Sequence, residues 1–145
     1  MSQKNSSTCN PFGPKHEISK KTKIEEHGSS FELKLAELFH IIKIDNGLLK
    51  NEIGSKSDYL VLICERKENL FIELKGRQNF DKACLQIYNT FVFLKSQLDF
   101  QFKNVAIIVQ KEFNKNDLFS NGYKKLAKEF GTKNIIKKNN QIVYK

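Results

Sequence analysis

The sequence predicts an α/β domain with a mixed central sheet flanked by helices. Three observations predict it. First, Tyr59-Leu60-Val61-Leu62-Ile63-Cys64 and Leu70-Phe71-Ile72-Glu73-Leu74 are apolar on both strand faces, so their sheet is covered on each side. Second, Phe80, Cys84, Ile87, Phe91, Leu94 and Leu98 recur at the helical period. Third, 145 residues with 39% hydrophobic content and 12 Phe are enough for one packed core but not for two domains.

Residues 1–24 are polar, contain Pro11, Gly13 and Pro14, and show no periodicity, so they read as a flexible basic arm before a single domain over 25–145. A first helix is expected from Ser29. Ser29 and Glu32 fit a capping box, and Phe31, Leu35, Leu38 and Ile42 form one stripe. Leu48 to Ile53 reads as a short strand. The two apolar segments follow as a hairpin across Glu65–Asn69. Asn79 caps the long helix to Leu98, with Asp81 suited to its first turn. Val105 to Val109 is a buried strand. Asp117 to Phe130 is a helix stopped by Gly131, weakened by about 1 kcal/mol at Gly122. Ile135-Ile136 and Ile142-Val143-Tyr144 read as a terminal hairpin around Asn139-Asn140.

The net charge is +9 and uneven: residues 1–30 contribute +2, residues 31–100 nothing and residues 101–145 +7. Such a field fits a polyanionic partner, most simply nucleic acid, and equally a solvated lysine-rich surface. No apolar stretch approaches the length of a membrane span, and the N-terminus lacks a signal-peptide core. Three cysteines without an export signal point to free thiols, no disulfide framework and a cytoplasmic location. Cys64 and Cys84 read as small core residues. His16, His27 and His40 are scattered and form no metal or triad pattern. Gly54-Ser55-Lys56 lacks the spacing of a phosphate-binding loop.

Ionisable residues within apolar strands are rare and costly unless paired or metal-bound. Asp58 opens the first strand of the hairpin, and Glu73 and Lys75 lie near the end of the second. Alternation puts Glu73 and Lys75 on one face. Asp58 joins that face only if the hairpin loop has an even number of residues. Pairing Ile63 with Leu70 leaves a six-residue loop, with Asp58 opposite Lys75 and diagonal to Glu73. A one-residue slip turns Asp58 away. Together, Asp58, Glu73 and the carbonyl of Leu74 could hold a hard divalent cation. Lys75 could serve the attacking water or offset charge on a phosphate. A solvated edge ion pair is the plainer alternative.

Ser57-Asp58, fourteen residues, then Glu73-Leu74-Lys75-Gly76 resembles the PD-(D/E)xK motif of the restriction-endonuclease-like nucleases. The resemblance covers roughly residues 29–110 and implies an αβββαβ core, Mg²⁺ or Mn²⁺ at Asp58 and Glu73, and phosphodiester hydrolysis. Ser57 replaces the motif's Pro. Glu32 matches by position the first-helix Glu of many members, while also fitting its capping box. Gln86 matches the Gln that some members carry on the next helix, although Thr90 stands where the Tyr of Q-x-x-x-Y would be. The likeness to small resolvases and compact restriction-type nucleases implies a homodimer.

The reading is thus a metal-dependent DNA nuclease with Asp58, Glu73, Lys75, Glu32 and Gln86 as catalytic residues. Lys82, Lys111, Lys115, Lys124, Lys125 and Lys128 would contact nucleic acid, helped by Lys137 and Lys138. A non-catalytic nucleic-acid-binding module on the same fold is the alternative. A small interaction protein with incidental charge is a third.

Overall fold

Three layers stack in the structure, a computed structural model that describes residues 9–18, 21–76 and 79–145. The middle layer is a six-stranded mixed sheet, and a pair of α-helices covers one face. A three-stranded sheet covers the other face. The chain is therefore mixed α/β. None of the helices is long and apolar enough to cross a membrane, among the described residues.

The strands in chain order are β1 (Glu17–Ile18), β2 (Lys23–Glu26), β3 (Ser29–Leu33), β4 (Phe39–Lys43), β5 (Tyr59–Ile63) and β6 (Glu68–Leu74). After helix α1 (Phe80–Leu94) come β7 (Lys103–Gln110), helix α2 (Asn121–Phe130), β8 (Ile135–Asn139) and β9 (Gln141–Tyr144). The central sheet runs β1-β4-β5-β6-β7-β8. It is antiparallel through β6, and β7 and β8 are parallel additions. The outer sheet runs β2-β3-β9, with β3 and β9 parallel.

Both faces of the central strands are buried, as their unbroken apolar runs require. Leu60, Leu62, Phe71, Ala106 and Ile108 pack beneath α1 and α2, where they meet Cys84, Ile87, Phe91, Leu126 and Phe130. Phe91 stands edge-on to Phe71 at 6.0 Å and to Phe130 at 5.1 Å. Val61, Ile63, Leu70, Ile72 and Ile107 face the outer sheet and meet Ile24, Phe31 and Leu33. Each such burial contributes roughly 1.5–3 kcal/mol.

The helix expected from Ser29 does not form. Residues 29–33 alternate instead: Phe31 and Leu33 enter the core and Glu32 does not. The cause lies just upstream. His27 and Gly28 both take positive φ, and Glu26 pairs with Ser29, giving a two-residue hairpin turn of the primed kind. The Ser29-x-x-Glu32 spacing is a coincidence within a strand.

Further expectations are corrected. Leu48 to Ile53 is a loop with an isolated Asp45–Leu49 bridge, held by the buried Leu49. The terminal hairpin does not close: β8 extends the central sheet and β9 the outer one. Asn140, at positive φ, carries the chain between layers, donating to Gln110 O at 3.0 Å and accepting from Ser30 N at 2.9 Å. The arm expected over 1–24 is part of the fold at residues 9–18 and 21–24. There β1 pairs with β4 and β2 pairs with β3, while residues 1–8, 19 and 20 lie outside the described residues. Cys9 and Cys64 form a disulfide where free thiols were expected, leaving Cys84 as a buried free thiol. An odd count permits one pair and one core cysteine.

The long helix is formed nearly as expected. Asn79 is its N-cap residue and Asp81 lies in its first turn, as expected, but Asn79 makes no side-chain cap bond, and Asp81 accepts from the Gly122 N–H at 2.6 Å, joining the starts of α1 and α2. The last helix begins at Asn121, after a short 3₁₀ turn at Asp117–Phe119, and is capped by the Ser120 hydroxyl.

Candidate active site

Strand pairing decides whether the two acids meet. Tyr59 pairs with Ile72 and Ile63 with Glu68, so the loop is residues 64–67. That is an even loop, two residues tighter than the expected pairing. The shift preserves the face and changes the partner: Asp58 falls opposite Glu73 rather than Lys75. Both acids lie on the α1 side of the sheet, continuing the row of Leu60, Leu62 and Phe71.

The carboxylates are held by each other's backbone. Asp58 N–H donates to Glu73 Oε1 at 3.1 Å, and Leu74 N–H donates to Asp58 Oδ2 at 2.9 Å. Lys75 Nζ lies 3.1 Å from Glu73 Oε2. Lys75 is tied down at both ends of its peptide, with N–H to Val109 O at 2.8 Å and C=O accepting from Ser29 Oγ at 2.6 Å. The β2–β3 hairpin thereby braces the end of β6.

Glu73 is 2% exposed, and burial together with the neighbouring Asp58 charge pushes its carboxyl up to about 8 against the pull of Lys75. Asp58 is raised as well, chiefly by burial. The Leu74 N–H opposes this rise, while Glu26 and Asp45 add to it. Two acids facing one ammonium leave a site short of positive charge. Asp58 Oδ1 takes no hydrogen bond among the described residues, and the Leu74 carbonyl shares the edge to which its N–H points. This all-oxygen set fits a hard divalent cation. It provides two acidic ligands, and no group of three His, Cys, Asp or Glu side chains able to hold a metal occurs among the described residues.

Other expected residues lie elsewhere. Glu32 stands in β3 between Lys23 and Val143, on the outer face of the outer sheet, two layers from the carboxylates. Gln86 sits on α1 near the site, but its Nε2 donates to Lys56 O at 3.1 Å rather than to a carboxylate. Lys82, Lys124, Lys125 and Lys128 are exposed on the helical layer, the same side as Asp58 and Glu73. Lys111 and Lys115 are exposed in the loop that leaves β7, and Lys111 Nζ lies against Gly28 of the β2–β3 turn. Lys137 is held over the rings of Phe80 and Phe113 at 5.5 and 5.2 Å. Lys138 is exposed beside it on β8.

Some contributors leave little trace in the sequence. Tyr59 hydroxyl donates to Glu26 at 2.9 Å on the opposite sheet face, which fixes an acid behind Asp58. Thr90 accepts from Ser57 N–H at 2.8 Å. Gln110, next to Lys75 in the β6–β7 register, is fully buried and donates to Glu112 O at 2.7 Å. A buried Thr and Gln in otherwise apolar stretches were the available signals. The cleft lined by Cys9, Cys64, Leu98 and Phe102 is at the other end of β5 and takes no part in this site.

No family model, curated protein or solved structure matches this chain.

Proposed function

We propose that this protein is a divalent-metal-dependent nuclease that hydrolyses phosphodiester bonds in DNA. The observation that carries the reading is the convergence of Asp58, Glu73 and Lys75 on one face at one end of the central strands, with fourteen residues between Asp58 and Glu73. The order β4-β5-β6-α1-β7 supports a restriction-endonuclease-like core, in which the β2–β3 hairpin stands where that core has its first helix.

Asp58, Glu73 and the Leu74 carbonyl would hold Mg²⁺ or Mn²⁺. Such an ion polarises a phosphoryl oxygen and lowers the pKa of bound water. Glu73 orients the Lys75 ammonium toward the same point. There it stabilises negative charge that develops on the phosphate as the water oxygen loses a proton to solvent and bonds to phosphorus, and the leaving oxygen departs and takes up a proton from solvent. Lys111 and the α2 lysines would bind flanking phosphates. The likeness to compact nucleases adds a homodimer with one site for each strand.

The test is cleavage of duplex, single-stranded and branched DNA, and of RNA, with Mg²⁺ or Mn²⁺. Asp58→Ala and Lys75→Ala run beside wild type. The expected result is metal-dependent cutting of DNA that falls at least 100-fold in both variants. Salt-sensitive binding without cutting would replace this reading with the binding module. Cutting that survives in both variants would refute the site.

A further inference from the structure

We propose that Thr90 is a positioning residue for Asp58, acting through the backbone of Lys56 and Ser57. The inference rests on the reading of Asp58 as a metal ligand. It concerns a residue whose hydroxyl bonds only backbone groups, those of Ser57 and Gln86, among the described residues.

Asp58 lies just before β5, so its carboxylate is aimed by the loop that delivers it. That loop is fastened to the middle of α1. Ser57 N–H donates to Thr90 Oγ1 at 2.8 Å, and Gln86 Nε2 donates to Lys56 O at 3.1 Å. The Thr90 hydroxyl gives its only proton to Gln86 O at 2.8 Å, which turns its lone pairs to Ser57. Ser57 and Thr90 are both fully buried. On the outer side Lys56 Nζ donates to Ile53 O at 3.1 Å and Gly54 O at 3.4 Å.

The two bonds from α1 fall on the backbone one and two residues before Asp58, at Ser57 N–H and Lys56 O. A valine at 90 keeps the shape and removes the acceptor, leaving a buried Ser57 N–H without a partner. The peptide plane then turns to find one, and Asp58 turns with it. Reacting groups tolerate little of this, since a displacement of about 1 Å costs on the order of 100-fold. Thr90 thus does from the helix, through Asp58's own chain, what a side chain facing the substrate cannot do.

The experiment uses the full chain with Thr90→Val and Thr90→Ser. Amide exchange measured by NMR reads the clamp, and calorimetric titration with Mn²⁺ reads the carboxylates. In Thr90→Val the Ser57 amide should exchange at least tenfold faster, while Val61 and Ile107 amides hold their rates. The half-saturating Mn²⁺ should rise about tenfold. Thr90→Ser should restore both to within twofold. Should Thr90→Val not fold, Gln86→Leu removes the neighbouring bond and should shift both readings in the same direction. An unchanged Ser57 amide overturns the proposal, as does a loosened amide with unchanged Mn²⁺ binding. If wild type takes up no Mn²⁺, the metal reading itself falls. The Ser57 amide and the Asp58 carboxyl-carbon shift then still decide whether Thr90 positions Asp58.

Discussion

Replacing Glu73 with Gln should flatten the dependence of stability on pH. Glu73 ionises near 4.5 in an unfolded chain and near 8 in the fold. A raised carboxyl binds its proton more tightly when folded. Its stabilising contribution is therefore complete below pH 4.5 and is lost as pH rises through 8. At about 1.4 kcal/mol for each tenfold change in proton affinity, the full gap is worth no more than about 5 kcal/mol. Lys75 leaves the site partly open to water, which relaxes the burial penalty, so about half that value is expected. At roughly 3 °C per kcal/mol this is about 8 °C in Tm. Thermal unfolding followed by circular dichroism at pH 5 and 8.5 in EDTA gives the measurement. The wild-type drop should exceed that of Glu73→Gln by about 6 °C, since about a fifth of the loss has already occurred at pH 5. Addition of Mg²⁺ at pH 8.5, to a hundred times its Kd, should return about 2.7 kcal/mol to wild type and little to the variant. Equal drops in the two proteins would refute the account of the buried pair.

Two further outcomes are expected. Lys124→Ala, Lys125→Ala and Lys128→Ala combined should lower the log–log salt slope of duplex DNA binding by about 0.9 for each phosphate that is no longer neutralised, and an unchanged slope removes α2 from the interface. Gly122→Ala puts a Cβ into the Asp81 carbonyl oxygen and within 2.8 Å of Asp81 Oδ1. The two helix starts must then part, at a cost of about 1–3 kcal/mol or some 3–9 °C in Tm, and an unaltered Tm contradicts the close approach.

The centre of the fold was legible and its flanks were not, for physical reasons. Strands buried on both faces, such as β5, β6 and β7, have no polar alternative and declare themselves by composition. The helix α1 declares itself by fifteen residues of one period. Residues 29–42 carry both periods at once: Phe31, Leu35, Leu38 and Ile42 fit a helix, and Phe31 with Leu33 fits a strand. The two-residue turn at His27-Gly28 settles it, and His-Gly is a weaker turn signal than Asn-Gly. The last two strands were recognised and misjoined. Nothing local in Asn139-Asn140 tells a hairpin from a step between layers, since an Asn at positive φ serves both.

The candidate site divides along the same line. Parity alone brought Asp58 to the face of Glu73, because any even loop gives that face, and a two-residue error in register left it intact. What parity cannot give is the aim of the carboxylate. That depends on bonds between residues distant in sequence: Ser29 to Lys75 across 46 positions, and Ser57 to Thr90 across 33. Both are made by polar side chains buried in the fold. A buried hydroxyl that bonds the backbone beside an acid adds little to net stability, because it exchanges one partner for another. Its value is in holding one geometry. Asp58 and Glu73 therefore depend on all three layers: the hairpin braces Lys75, the central sheet pairs the acids, and α1 fixes the approach to Asp58. Loss of the Ser29–Lys75 or the Thr90–Ser57 bond should impair the site well before it unfolds the chain.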